Sequence, residues 1–159
     1  GGDINIKELS GDFEIKTSGG DIDLVNTKGK MELKTSGGDI KVLNTAGEIK
    51  AVTSGGDIKL KTSNSKIDAT TSGGDIEVYY SGENKGIELS TSGGDVDVLV
   101  DKNVKAKVEL KTSGGDVEAD ISTTRVFSSS SRKFEAEVNG GGELIKCMTS
   151  GGDITFKGK

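Results

Sequence analysis

The chain has 159 residues, which fits one domain or one array of repeats, and its formal charge of −5 spreads 21 basic residues among 26 acidic ones. No basic stripe forms, so nucleic acid is set aside as a partner, and no run of 18 apolar residues forms a transmembrane helix. Cys147 stands alone and His is absent, which excludes an intrachain disulfide, a Cys-rich metal site and His-based acid–base catalysis. Apolar residues make up 31% and aromatics 4%, so an ordered chain must bury small apolar residues with great regularity.

Taken in chain order, the apolar residues supply that regularity. They come as alternating pairs: Ile4/Ile6, Phe13/Ile15, Ile22/Leu24, Met31/Leu33, Ile40/Val42, Ile49/Ala51, Ile58/Leu60 and Ile67/Ala69. The pattern continues through Ile76/Val78, Ile87/Leu89, Val96/Val98, Val108/Leu110, Val117/Ala119, Ile145/Cys147 and Ile154/Phe156. Alternation over four to six residues marks a strand with one buried face, and β-branched residues suit its pleat. Between the strands the letters "TSGGD" recur seven times, beginning at Thr17, Thr35, Thr53, Thr71, Thr91, Thr112 and Thr149.

The Asp of each "GGD" falls at 3, 21, 39, 57, 75, 95, 116 and 153, so the period is 18, lengthening later. In "SRKFEAEV", Lys133 takes the Asp slot of a degenerate repeat, with Phe134 and Ala136 in the apolar slots. The fold expected is an all-β, single-stranded parallel β-helix or β-solenoid. It has about 18 residues per turn, two short strands per turn, strands stacked ~4.8 Å apart, and a right-handed coil by analogy with crossovers. Residues 1–159 read as one solenoid domain with an irregular insertion at 122–133.

The repeated letters are expected to build turns. Gly supplies unusual backbone angles, stacked Thr hydroxyls bond one another, and each Asp accepts hydrogen bonds from its turn. A line of calcium ions along the Asp column is the functional alternative. The Gly-Gly…Asp run is similar to the nonapeptide β-roll, but the GxGxD spacing is absent. No other cofactor is expected. Cys147 sits in an apolar slot, as an inert buried thiol would.

Tandem "TSGGDI" motifs separated by "GxIxL" strands resemble the adhesin family of bacterial envelope β-strand-repeat proteins, and the related autotransporter-adhesin head-domain family. That resemblance implies a secreted or envelope-anchored parallel β-helix, and it carries no catalytic residue. The expected function is therefore a non-enzymatic extracytoplasmic structural or adhesive module. The start at "GGDINI", inside a repeat and without Met, reads as a processed product.

Insertions enter only at the turn opposite "TSGG": "YYSGENKG" at 79–86, "LVDKNVKAK" at 99–107, and the segment 122–133. Neighbouring turns share an edge, so these loops are expected to form one lateral bump that binds a surface glycan or protein. Its candidate residues are Tyr79, Tyr80, Asn84, Lys85, Lys102, Asn103, Lys105, Arg125, Phe127 and Arg132. Two rival readings are an ice-binding solenoid, from the Thr columns, and a carbohydrate-active β-helix enzyme. Open solenoid ends template pairing with another chain, whereas Lys157 and Lys159 near the C-terminal end oppose stacking, so a monomer or weak dimer through the ends is expected.

Overall fold

The structure, a computed structural model, describes residues 1–159 and contains strands and no α-helix. The strands in chain order are β1 (Ile4–Lys7), β2 (Phe13–Lys16), β3 (Ile22–Val25), β4 (Lys28–Lys34), β5 (Ile40–Val52), β6 (Ile58–Ser63), β7 (Lys66–Thr70) and β8 (Ile76–Ser81). They continue as β9 (Ile87–Ser90), β10 (Val96–Val100), β11 (Ala106–Thr112), β12 (Val117–Asp120), β13 (Arg125–Ser130), β14 (Lys133–Val138), β15 (Leu144–Thr149) and β16 (Ile154–Gly158). The fold is all-β and β-solenoid-like.

Strands stack into two ladders that face each other across a shared core. The first runs β1-β3-β5-β6-β8-β10-β16-β12, and the second runs β2-β4-β5-β7-β9-β15-β11-β14-β13. The long β5 belongs to both and joins them into one 16-stranded sheet. Early pairings are parallel and offset by one repeat: Ile4↔Ile22, Ile22↔Ile40, Ile40↔Ile58 and Ile58↔Ile76. The alternating pairs fill the space between the ladders. Ile22, Leu24, Ile40, Val42, Ile58 and Leu60 are all fully buried, within one continuous apolar cluster.

Three features depart from the sequence expectation. First, 122–133 is not an irregular insertion. Residues 125–130 form β13, which pairs antiparallel with β14. Second, β14 is not a degenerate parallel repeat. It runs antiparallel to β11, with Leu110↔Phe134 and Val108↔Ala136. The connection Ser131-Arg132 is too short for a parallel crossover and can only reverse the chain. The sheet is therefore of mixed orientation, and this hairpin covers the end of the second ladder.

Third, the rungs do not stack in chain order. The final strands β15 and β16 lie inside the stack, between β9/β10 on one side and β11/β12 on the other. Ile145 pairs with both Ile87 and Val108, and Ile154 pairs with both Val96 and Val117. Every "TSGGD" rung carries the same ladder letters, so the register stays continuous whichever rung fills the place.

Candidate functional site

The "TSGGD" column is occupied with holding rungs together. Each Asp amide donates to Oδ1 of the Asp one rung away: Asp39 to Asp21 at 2.8 Å, Asp57 to Asp39 at 2.8 Å, Asp75 to Asp57 at 2.8 Å and Asp95 to Asp75 at 2.7 Å. The acceptor thus serves the neighbouring rung rather than its own turn. The charge-assisted bonds offset the repulsion of stacked carboxylates.

The Thr hydroxyls do not bond one another. Thr71 Oγ1 donates to the Gly56 carbonyl at 2.9 Å and accepts from the Gly74 amide at 3.3 Å, and Thr35, Thr53, Thr91, Thr112 and Thr149 repeat the pattern. These hydroxyls are buried, so the column offers no exposed Thr array to ice.

Glycine's role in this turn also differs from the expectation. The second Gly has no left-handed φ. Instead, a Cβ on Gly74 would stand 2.1 Å from the Gly56 carbonyl oxygen. Space between rungs, rather than backbone angle, demands Gly there.

The opposite edge carries a buried irregularity around Tyr80 and Asn84. Tyr80 is 1% exposed, its hydroxyl accepting from the Ser65 amide at 2.8 Å and reaching the carbonyls of Ser65 at 2.7 Å and Glu83 at 2.6 Å. It pins the 81–86 loop from inside. Asn84, also buried, donates through Nδ2 to the carbonyls of Lys105 at 3.3 Å and Glu143 at 2.7 Å, and its Oδ1 accepts from the Gly86 amide. The Gly82 amide donates to Asp101 at 2.9 Å, and Asn139 Nδ2 donates to the carbonyls of Lys102 and Val104. Three loops, 81–86, 101–105 and 139–143, are thereby tied into one rim.

Two hollows flank Asn84. One, of about 550 Å³, is lined by Lys66, Asp68, Lys85, Glu88, Glu143 and Lys146 among others. The other, of about 480 Å³, lies among Gly82, Asn103, Lys105 and Gly142. Both walls mix signs, which suits a polar ligand of little net charge better than a polyanion.

The predicted bump is thus only partly assembled. Asn84, Lys85, Asn103 and Lys105 line the hollows, and Lys102 is exposed on the adjoining loop. Tyr80 is a core residue. Tyr79 points away on the outer face of the first ladder, hydrogen-bonded to Glu77, with the Lys59 ammonium 5.6 Å from its ring centre. Arg125, Phe127 and Arg132 belong to the terminal hairpin, where Arg125 stacks on Phe127 at 4.9 Å. The third loop of the rim is 139–143, which the sequence reading passed over. Its signal was the run "NGGG", and Asn139, Gly140 and Gly141 all adopt positive φ.

Titration shifts lie elsewhere. The Tyr79 hydrogen bond holds Glu77 below the usual carboxylate range, and Glu77 in turn raises Tyr79. Burial raises Tyr80 and pushes the Cys147 thiol up to about 12. That thiol is fully buried, in the apolar slot the alternation assigned to it.

The fold and its rim define a class: a β-solenoid-like repeat protein whose ladder letters are structural and whose variable loops gather on one edge. The chain belongs to the Toastrack DUF4097 family, whose model matches residues 45–157. This corrects the resemblance to the adhesin and autotransporter head-domain families. The letters behind that resemblance, "TSGGD", encode rung-to-rung contact in this chain. No curated protein and no solved structure matches the chain.

Proposed function

We propose that this chain is a right-handed β-helix, parallel except at its β13–β14 hairpin, serving as a non-enzymatic scaffold, which displays the rim at 81–86, 101–105 and 139–143 to a surface glycan or protein. The observation that carries this reading is the division of labour between the two edges. Asp, Thr and Gly of the "TSGG" edge are consumed by rung contacts, whereas the opposite edge builds two polar hollows around a buried Asn84. Exposed side chains there, Lys85 and Lys105 above all, are free to contact a partner.

The test is binding to glycan and protein arrays by the wild type and by the pair Lys85→Glu, Lys105→Glu. Selective retention that the pair abolishes supports the reading. Equal retention by both, or none by the wild type, sinks it. Turnover of a retained glycan would replace binding with catalysis. Display outside the cytoplasm is part of the proposal, and fractionation of the native host reads it directly.

A further inference from the structure

The placement of β15–β16 has a consequence for association. The segment 144–158 occupies an interior slot, and the loop 139–143 leads the chain into it from β14. Two rungs that are adjacent in sequence, β9/β10 and β11/β12, lie apart to admit it.

Most of what holds the segment is generic to the repeat; the Lys157–Glu118 ion pair at 3.8 Å is particular to it. The Asp153 amide donates to Asp95 Oδ1 at 2.7 Å, and the Asp116 amide donates to Asp153 Oδ1 at 2.8 Å. Thr149 Oγ1 donates to the Gly94 carbonyl and Thr112 Oγ1 to the Gly152 carbonyl, both at 2.8 Å. Ile145, Cys147, Ile154 and Phe156 are fully buried in the common core. These contacts run between the segment and the two rungs of the slot, so the same segment from another molecule would satisfy each of them.

The tether is a natural hinge. Asn139, Gly140 and Gly141 have φ of 50°, 85° and 85°, and Gly142 follows. Glycines absorb the backbone change that re-aims a segment, and exchange of an identical element is a low-cost route to a dimer. We infer that the slot between β9/β10 and β11/β12 is a strand-exchange site that accepts residues 144–158 of a second copy of this chain.

In the reciprocal dimer each slot is filled by the partner's segment. Only the 139–143 loop changes course, so the rims described above are remodelled in the same step. Dimerisation and the shape of the lateral hollows are thereby coupled.

A disulfide trap tests the exchange. Asp97 and Thr155 are paired neighbours on β10 and β16. In a Cys147→Ala background, Asp97→Cys and Thr155→Cys are made as separate single variants and as a double variant. The two single variants are mixed at high concentration, warmed to loosen the stack, cooled and oxidised. The expected result is a covalent heterodimer in the mixture and in neither variant alone, with an internal disulfide in the double variant. Three results would each overturn the inference. One is no heterodimer although the double variant closes internally. Another is dimer yield in one variant alone equal to that of the mixture. The third is failure of the double variant to close, which would show that β16 does not lie beside β10.

Discussion

Replacing Gly74 by Ala isolates the closest approach in the stack. The added Cβ would meet the Gly56 carbonyl oxygen at 2.1 Å and Asp57 Oδ1 at 2.6 Å, whereas ordinary contact begins near 3.4 Å. The rungs must therefore part by more than an ångström at this point. Bonds of 2.8–2.9 Å, from Asp75 N to Asp57 Oδ1 and from Thr71 Oγ1 to the Gly56 carbonyl, stretch beyond useful length. Each contributes about 1 kcal/mol, and stranding the buried Thr71 hydroxyl adds about 1–3 kcal/mol. A total of about 3–5 kcal/mol follows, which for a chain of this size lowers the melting temperature by roughly 6–20 °C. Gly73→Ala is the control. Its neighbours are 3.7 Å away and its φ is not left-handed, so a small gain of about 0.4–1 kcal/mol is expected from the stiffer unfolded chain. Circular-dichroism melts of the two variants beside the wild type decide the matter. Equal melting temperatures for Gly73→Ala and Gly74→Ala would refute the argument that rung spacing, rather than turn geometry, selects Gly at the second position.

Other expectations follow from the same contacts. Asp57→Ala removes the acceptor of the Asp75 amide and should cost about 1–2 kcal/mol in urea unfolding, while Asp57→Asn keeps an acceptor and relieves like-charge repulsion, so it stays within about 0.5 kcal/mol of the wild type. Chelation with EGTA should leave the melting temperature unchanged, because the column is tied by amides; a clear drop would instead support a line of calcium ions along it. Burial raises Tyr80, so the unfolded chain loses that proton first as pH climbs past about 10, and stability falls from there through the folded pKa. Tyr80→Phe should flatten this alkaline loss while costing about 1–3 kcal/mol near neutrality, because the Ser65 amide loses its acceptor. Cys147 should resist Ellman's reagent in the native protein at pH 8 and react at once in denaturant; rapid native labelling would contradict its buried slot.

Strand positions were readable because alternation reports burial directly: twelve of the fifteen predicted apolar pairs are buried, and Ile4/Ile6, Phe13/Ile15 and Val117/Ala119, at the ends of the stack, are partly exposed. Rung order was not readable, for a physical reason: seven copies of "TSGGD" make every rung a fit for every slot, so local letters cannot say that 145–156 lies between 87–98 and 108–119. The β13–β14 hairpin was hidden by the same alternation, since Phe134 and Ala136 face inward whether the strand runs parallel or antiparallel. At the rim, Asn84 was legible as a loop residue but not as a clamp, because its partners are the backbone carbonyls of Lys105 and Glu143, which carry no sequence signal. Asn26, Asn44 and Asn64, left-handed at the edge opposite "TSGG", show a second turn code that the more frequent glycines obscured.

The identity of the rung interfaces also bears on how such a gene can change. Removing or duplicating 18 residues within the first five rungs exchanges one Asp–amide and Thr–carbonyl interface for another of the same kind. Stability in stacked arrays is a sum over repeats and their nearest-neighbour contacts, so such a change adds or subtracts a unit without disturbing the ends. Each event alters the length of the rod by about 4.8 Å, and the rim keeps its own three loops. The length of the rod and the loops of the rim can therefore change independently in descendants of this sequence: one by recombination between near-identical repeats, the other by point substitution.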